Sequence, residues 1–158
     1  PSLDAVLSTQ TEIELRLPAL LPEDYINDVN TRLSLYKKLA SCKNGTEIKE
    51  LQIELIDRFG LLPDAAKNLI RISEMKLQAQ QVGLKKIEAT AQGGVFEFDQ
   101  ETKVDPGFII RLIQSKPNSY RLEGPQKLRF SFDLEDNTKR LNKVSGMLNE
   151  FSQQIRAA

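Results

Sequence analysis

A chain of 158 residues fits one domain of ordinary size with a real core, and 40% hydrophobic and 28% charged residues mark it as globular rather than disordered. A net charge of zero and a pI near 6.9 exclude a global field that would draw it onto nucleic acid or an anionic membrane, while local patches stay open. The single Cys42 allows no internal disulfide, and the lack of histidine removes Cys/His metal clusters and the commonest general base. A cytoplasmic chain with an inert thiol is expected. No apolar run approaches the roughly 18 residues of a membrane span, and no signal peptide opens the sequence. A start at Pro1 rather than Met is expected of a segment cut from a longer protein.

Residues 1–10 have weak periodicity and read as a linker. Thr11 to Leu17 alternates, with Ile13, Leu15 and Leu17 on one side, and predicts a half-buried strand. Pro22 fits the first position of a helix running from Glu23 to about Ser41, with Ile26, Val29, Leu33, Tyr36 and Ala40 on one face. Glu23 and Asp24 at its start and Lys37, Lys38 and Lys43 near its end match the helix dipole. Thr46 is a plausible N-cap for a second helix to Phe59, with Ile48, Leu51, Leu55 and Phe59 inward. Gly60 suits the left-handed position that ends it, and Pro63 starts a third helix to about Val82 with Ala66, Leu69, Ile70 and Leu77 as its stripe. The corner Asp57 to Pro63 thus turns one helix into the next with almost no loop.

After Gly83 the period shifts toward 2. Leu84 to Ala91 and Val95 to Phe98 flank Gln92-Gly93-Gly94, a hairpin signature in which glycine supplies positive φ. Asp105-Pro106 predicts a capped helix to Gln114 carrying Phe108, Ile109, Leu112 and Ile113. A second hairpin follows, Tyr120 to Leu122 and Leu128 to Phe132 around Glu123-Gly124-Pro125. A final helix from Asp136 to Ile155 has Leu141, Val144, Leu148, Phe151 and Ile155 at 3-4-3-4 spacing and should cap the sheet. The expectation is α+β, a single domain over 11–158: an N-terminal strand, a three-helix cluster, a small mostly antiparallel sheet and a long C-terminal helix.

No phosphate-binding glycine loop and no nucleophile–base pair appear. The pair Glu135-Asp136 reads as a helix start rather than a metal site. Lys76, Lys85 and Lys86 are the best candidates for DNA contact, but they lack interleaved aromatics, and a lysine-protected strand edge explains them equally well. Glu47, Glu50, Glu54 and Asp57 recur at spacings of 3, 4 and 3 along the second helix, with Lys49 and Arg58 as the nearby bases. That pattern is either a solvated face with partial counterions or a docking surface for a basic partner.

The run Glu54-Leu55-Ile56-Asp57-Arg58-Phe59-Gly60-Leu61-Leu62-Pro63, with Leu69, resembles the C-terminal domain of the bacterial transcription-repair coupling factors, the Mfd or TRCF family. Leu17-Pro18-Ala19-Leu20-Leu21-Pro22, Val29 to Lys37 and Gly93-Gly94-Val95-Phe96-Glu97-Phe98 are similar to the same family, and the likeness is densest from Glu12 to Ile87. The resemblance implies a parent protein that is an ATP- and Mg-dependent double-stranded DNA translocase. Such a parent binds stalled RNA polymerase, displaces it and recruits the excision-repair protein UvrA. It also implies that this C-terminal domain is non-catalytic, holds no cofactor, and docks on the parent's own UvrB-like N-terminal module, masking the surface that UvrA uses. The residues expected to dock are Glu54 and Asp57, with Glu50 and Glu47 extending the patch, and Phe59, Gly60 and Pro63 are expected to form the structural corner. The alternative is a DNA-contacting accessory module of the same translocase, using Lys76, Lys85 and Lys86.

Overall fold

A computed structural model describes residues 11–155, so the linker expected over 1–10 lies outside the described residues. These residues gather into two compact units, one of them Leu17–Leu77 and the other made of the strand before it and everything from Gln78 onward. Five helices and a five-stranded mixed sheet are found among them, an α+β architecture as expected. The helices are α1 (Val29–Ala40), α2 (Gly45–Phe59), α3 (Asp64–Val82), α4 (Pro106–Ser115) and α5 (Asn137–Gln153). The strands are β1 (Glu12–Glu14), β2 (Leu84–Thr90), β3 (Gly93–Phe98), β4 (Tyr120–Leu122) and β5 (Lys127–Ser131).

In the helical unit, Leu35 and Leu39 of α1, Ile48, Leu51 and Leu55 of α2, and Ala66 and Ile70 of α3 form one core with Leu21, Ile26 and Leu62. The first helix differs from its expectation in both start and phase. Pro22 is not its first residue; its carbonyl instead closes a single turn by accepting from the N–H groups of Tyr25 and Ile26. The helix begins only at Val29, behind the N-cap Asp28, whose carboxylate accepts from the Thr31 N–H. Glu23 and Asp24 are therefore outside it and do nothing for its dipole, whereas Lys37 and Lys38 do occupy its last turn. A stripe counted from Ile26 at helical spacing loses phase across that break. Val29 and Leu33, expected inside, are 56% and 52% exposed, and Leu35 and Leu39 take the core.

The second helix is capped by Asn44 and not by Thr46: the Asn44 side chain accepts from the Glu47 N–H while the Glu47 carboxylate accepts from the Lys43 N–H. Two donors at the helix start are satisfied reciprocally, a variant of the capping box. At the other end Gly60 has φ +95° and ψ −171°, a region open essentially to glycine alone. Pro63 stands immediately before α3, and its carbonyl accepts from Ala66 and Lys67. Phe59 is half-buried and packs on the rim of the core, edge-on to Tyr25 at 5.8 Å.

In the other unit the strand order is β1-β2-β3-β5-β4, with β1 parallel to β2 and every other pair antiparallel. The first strand is shorter than expected because Arg16 turns the chain at φ +53°. The first hairpin forms, but Ala91 and Gln92 make its turn and both glycines lie in β3, with Thr90 opposite Gly93. Gly93 supplies the expected positive φ, +140°, and both glycines also permit close approach: a Cβ on Gly94 would strike the Glu88 carbonyl, and one on Gly93 the Phe130 carbonyl. A bulge between Leu84 and Lys86 lets Leu84 and Ile87 both face the core, three residues apart. The sheet order corrects the reading of Lys85 and Lys86 as a strand edge, since β2 is flanked by β1 and β3.

Helix α5 buries Leu141, Val144, Met147, Leu148 and Phe151, and Phe151 meets Phe96, Phe98 and Phe108 edge-on at 5.1, 5.4 and 6.0 Å. Ile155, expected on the same stripe, lies past the helix end and bridges to Val104. No periodicity rule singles out Arg140, which is only 5% exposed. Its guanidinium donates to the carbonyls of Leu134, Leu15, Arg16 and Glu135 and to Asn137 Oδ1, at 2.9–3.3 Å. It thereby holds the end of β1 to the start of α5.

Arg140→Met keeps the volume but leaves those carbonyls without a donor, so it should cost about 2–4 kcal/mol in urea unfolding of the chain. Gly94→Ala should cost about 1–3 kcal/mol or more in the same measurement, because backbone rather than a flexible side chain blocks the methyl group.

Candidate interaction surface

The acidic helix is held at both ends. At its C-terminal end the Tyr25 hydroxyl lies 2.7 Å from the Gly60 carbonyl and 3.2 Å from that of Leu55, so its one proton ties the segment before α1 to the end of the acidic helix. Arg58 stacks over Phe59 at 4.8 Å from the ring centroid. Phe59, Gly60 and Pro63 thus form the corner expected of them, with Phe59 shared between core and surface.

The four carboxylates do not behave as one line. Glu54 bonds to Lys38 Nζ at 2.6 Å and to Arg58 at 2.8 Å, with a side chain 29% exposed. Those hydrogen bonds, from Lys38 first and Arg58 second, hold its pKa below the usual glutamate value. Glu47 is engaged at the helix cap. Both line a groove of about 410 Å³ with Glu50, Cys42 and Lys38. The Cys42 thiol lies 3.4 Å from the Lys38 carbonyl, and burial, followed by the nearby Glu47 charge, pushes its pKa up, away from the reactive thiolate. Asp57 and Glu50 are exposed and make no ion pair among the described residues. Between them on the helix surface stands Ile53, 59% exposed.

Helical geometry explains the division. Ile48, Leu51 and Leu55 set the inward direction; positions 50, 53 and 57 point away from it, and 47, 54 and 58 lie on the flank that meets α1. Spacing along α2 could place those flanks. It could not supply Lys38, which comes from sixteen residues earlier. Ile53 was legible as an apolar residue off the inward stripe.

Two of the three candidate DNA-contacting lysines are paired with carboxylates of the sheet unit. Lys86 lies 2.7 Å from Glu88 and 3.7 Å from Glu12, and its pKa is raised, mainly by the Glu88 bond. Lys85 is 3.5 Å from Glu97. Lys76 is on α3, in the other unit. On β4 and β5, Glu123 bridges Arg121 and Arg129, and Asp136, of the suspected acidic pair, caps α5 by accepting from the Lys139 N–H. No helix among the described residues is long and apolar enough to cross a membrane.

Because the folded pKa of Glu54 is depressed, its bridges stabilise the chain above the unfolded glutamate pKa, and that contribution disappears as pH falls through the folded value. Carboxyl NMR titration should place the Glu54 midpoint below the ordinary glutamate value, and Lys38→Ala should move it back upward. An unshifted midpoint in the unaltered chain would remove the bridge from the account.

Comparison with known proteins bears on the whole chain. A family model described as the TRCF domain matches residues 15–109. The transcription-repair-coupling factor of Escherichia coli (strain K12) is 48% identical over 153 residues, 97% of this chain and 13% of that protein. The transcription-repair-coupling factor of Haemophilus influenzae (strain ATCC 51907 / DSM 11121 / KW20 / Rd) is 49% identical over 148 residues, 94% of this chain and 13% of that protein. The chain therefore spans about an eighth of the length of these relatives. A crystal structure of the C-terminal domain of a transcription-repair coupling factor superposes with a TM-score of 0.72 at 26% identity, covering 93% of this chain and 98% of that one. The relatives and the solved structure, unlike the family model, cover the chain past residue 109 to the final helix, where the motif resemblance is thin. With an α+β fold, the corner motif and a family-model match over more than half its length, the chain belongs to the TRCF family as a transcription-repair coupling factor C-terminal domain.

Proposed function

We propose that this domain is a non-catalytic, autoinhibitory module that docks on the UvrB-like N-terminal module of its parent protein and covers the surface that UvrA would use. The parent, on this reading, is an ATP- and Mg-dependent DNA translocase of the bacterial cytoplasm that displaces stalled RNA polymerase and recruits excision repair. The observation that carries the proposal is the acidic face of α2, on a helix fixed by Asn44 and Gly60, with Glu50 and Asp57 exposed and in no ion pair among the described residues. Unpaired carboxylates on a rigid helix are complementary to exposed arginines, and a preorganised helix loses little entropy on docking.

Because both surfaces belong to one chain, their effective concentration is on the order of millimolar. A bare affinity near ~10 μM, about 7 kcal/mol, then keeps roughly 99% of molecules closed. A loss of ~2–3 kcal/mol leaves roughly 25–60% open, so a modest interface suffices for a switch. Glu54 has a particular place in it. Its carboxylate neutralises Lys38 and Arg58, so its removal both subtracts a negative charge and leaves two cations facing a cationic partner.

In the parent protein, Glu54→Ala combined with Asp57→Ala should raise apparent UvrA affinity by tens of fold on the order of the change in open fraction. Titration of UvrA against the parent and the variant measures it, and an unchanged affinity would sink the assignment. Phe59→Ala is the contrasting variant: at a half-buried site it should lower the melting temperature of the domain, at about 1–3 kcal/mol.

A further inference from the structure

We infer that Ile53 is the apolar anchor of the docking face, and that the surface it meets is an apolar hollow rimmed by arginine or lysine side chains on another module of the parent protein. The inference rests on the docking reading above and deepens it. Ile53 is 59% exposed on α2, with Glu50 three residues before it and Asp57 four residues after it, so the three share the outward face. An isolated exposed isoleucine would need no comment. This one stands between the two carboxylates of the acidic set that make no ion pair among the described residues, while Glu47 and Glu54 on the flank are engaged within the domain.

The charge pattern fixes the chemistry of the partner. Two unpaired carboxylates on either side of an aliphatic side chain fit two cations on either side of a hollow, and poorly fit an anionic or wholly apolar surface. Energetics require the apolar part. Exposed ion pairs contribute little each and weaken with salt, so carboxylates alone would make a clamp that opens at physiological ionic strength. Interfaces of this kind are held by a central desolvated side chain ringed by polar contacts that exclude water. Ile53 has the central position and Glu50 and Asp57 the ring. The chain spans about an eighth of its relatives' length, so the parent offers ample surface on which such a hollow can lie.

The test is UvrA titration against the full parent protein at low and high salt, in four forms: unaltered, lacking this domain, Ile53→Ala, and Leu33→Ala. Leu33 is a comparably exposed leucine on α1, 52% accessible, outside the acidic face. Ile53→Ala should raise UvrA affinity about tenfold at both salt concentrations, as expected for a lost apolar contact, and Leu33→Ala should change nothing. Ile53→Gln, which keeps a long side chain on the helix but removes its apolar end, should repeat the result with the domain's thermal unfolding unchanged. If domain removal raises UvrA affinity but neither Ile53 variant does, or Leu33→Ala does as much, the anchor is overturned while autoinhibition stands. If domain removal has no effect, both are overturned.

Discussion

The end of the acidic helix is decided by a backbone conformation that excludes side chains. Gly60 sits at φ +95° and ψ −171°, and nothing lies within 4 Å of where its Cβ would be, so the restriction is torsional and not steric. Beside that sharp ending the Tyr25 hydroxyl lies 2.7 Å from the Gly60 carbonyl and 3.2 Å from that of Leu55. The chain then passes Leu61 and Leu62 and enters α3 behind Pro63. Leu62 goes to the core at 7% exposure while Leu61 is left 87% exposed. The position of α2, and of everything on its outer face, follows from this corner and from the reciprocal cap at Asn44 and Glu47.

Rigid ends allow a charged helix to divide its carboxylates between structure and surface. Glu47 is used to begin the helix, and Glu54 joins α1 to α2 through Lys38 while pairing with Arg58 on its own helix. Both bridges are partly exposed, so their worth to stability is modest. Their more important effect is on charge: they leave the flank near neutrality and concentrate the uncompensated negative charge at Glu50 and Asp57. A face with a neutral flank and two free carboxylates is more selective than an evenly acidic one, because a cationic partner gains only in one register.

The sheet unit solves a different problem. Its covered face is closed by aromatic packing around Phe151, and its other face carries Lys86 paired with Glu88 along β2, Lys127 with Glu97 between β5 and β3, and Arg129 with Glu123. The buried Arg140 supplies the remaining constraint. It satisfies four carbonyls and one amide oxygen where β1, the turn before α5 and α5 itself converge, a task for which a forked guanidinium is suited and an ammonium is not.

Local physics was enough to place the corner, the cap at Asp105, the start of α5 at Asp136, the stripe of α5 and both hairpins, since each depends on residues within a few positions of one another. The same local logic failed where the chain breaks period. Pro22 and Ile26 look helical in sequence, but the turn closed by the Pro22 carbonyl displaced the start of α1 to Val29 and rotated its buried face to Leu35 and Leu39. The sequence by itself determined that α2 would carry an acidic face ending at a glycine corner, because spacing and backbone freedom are properties of the chain. Only the tertiary structure decided which of those acids are free. That choice turns on Lys38 arriving from another helix, and pairing between charges distant along the chain depends on packing that no periodicity records.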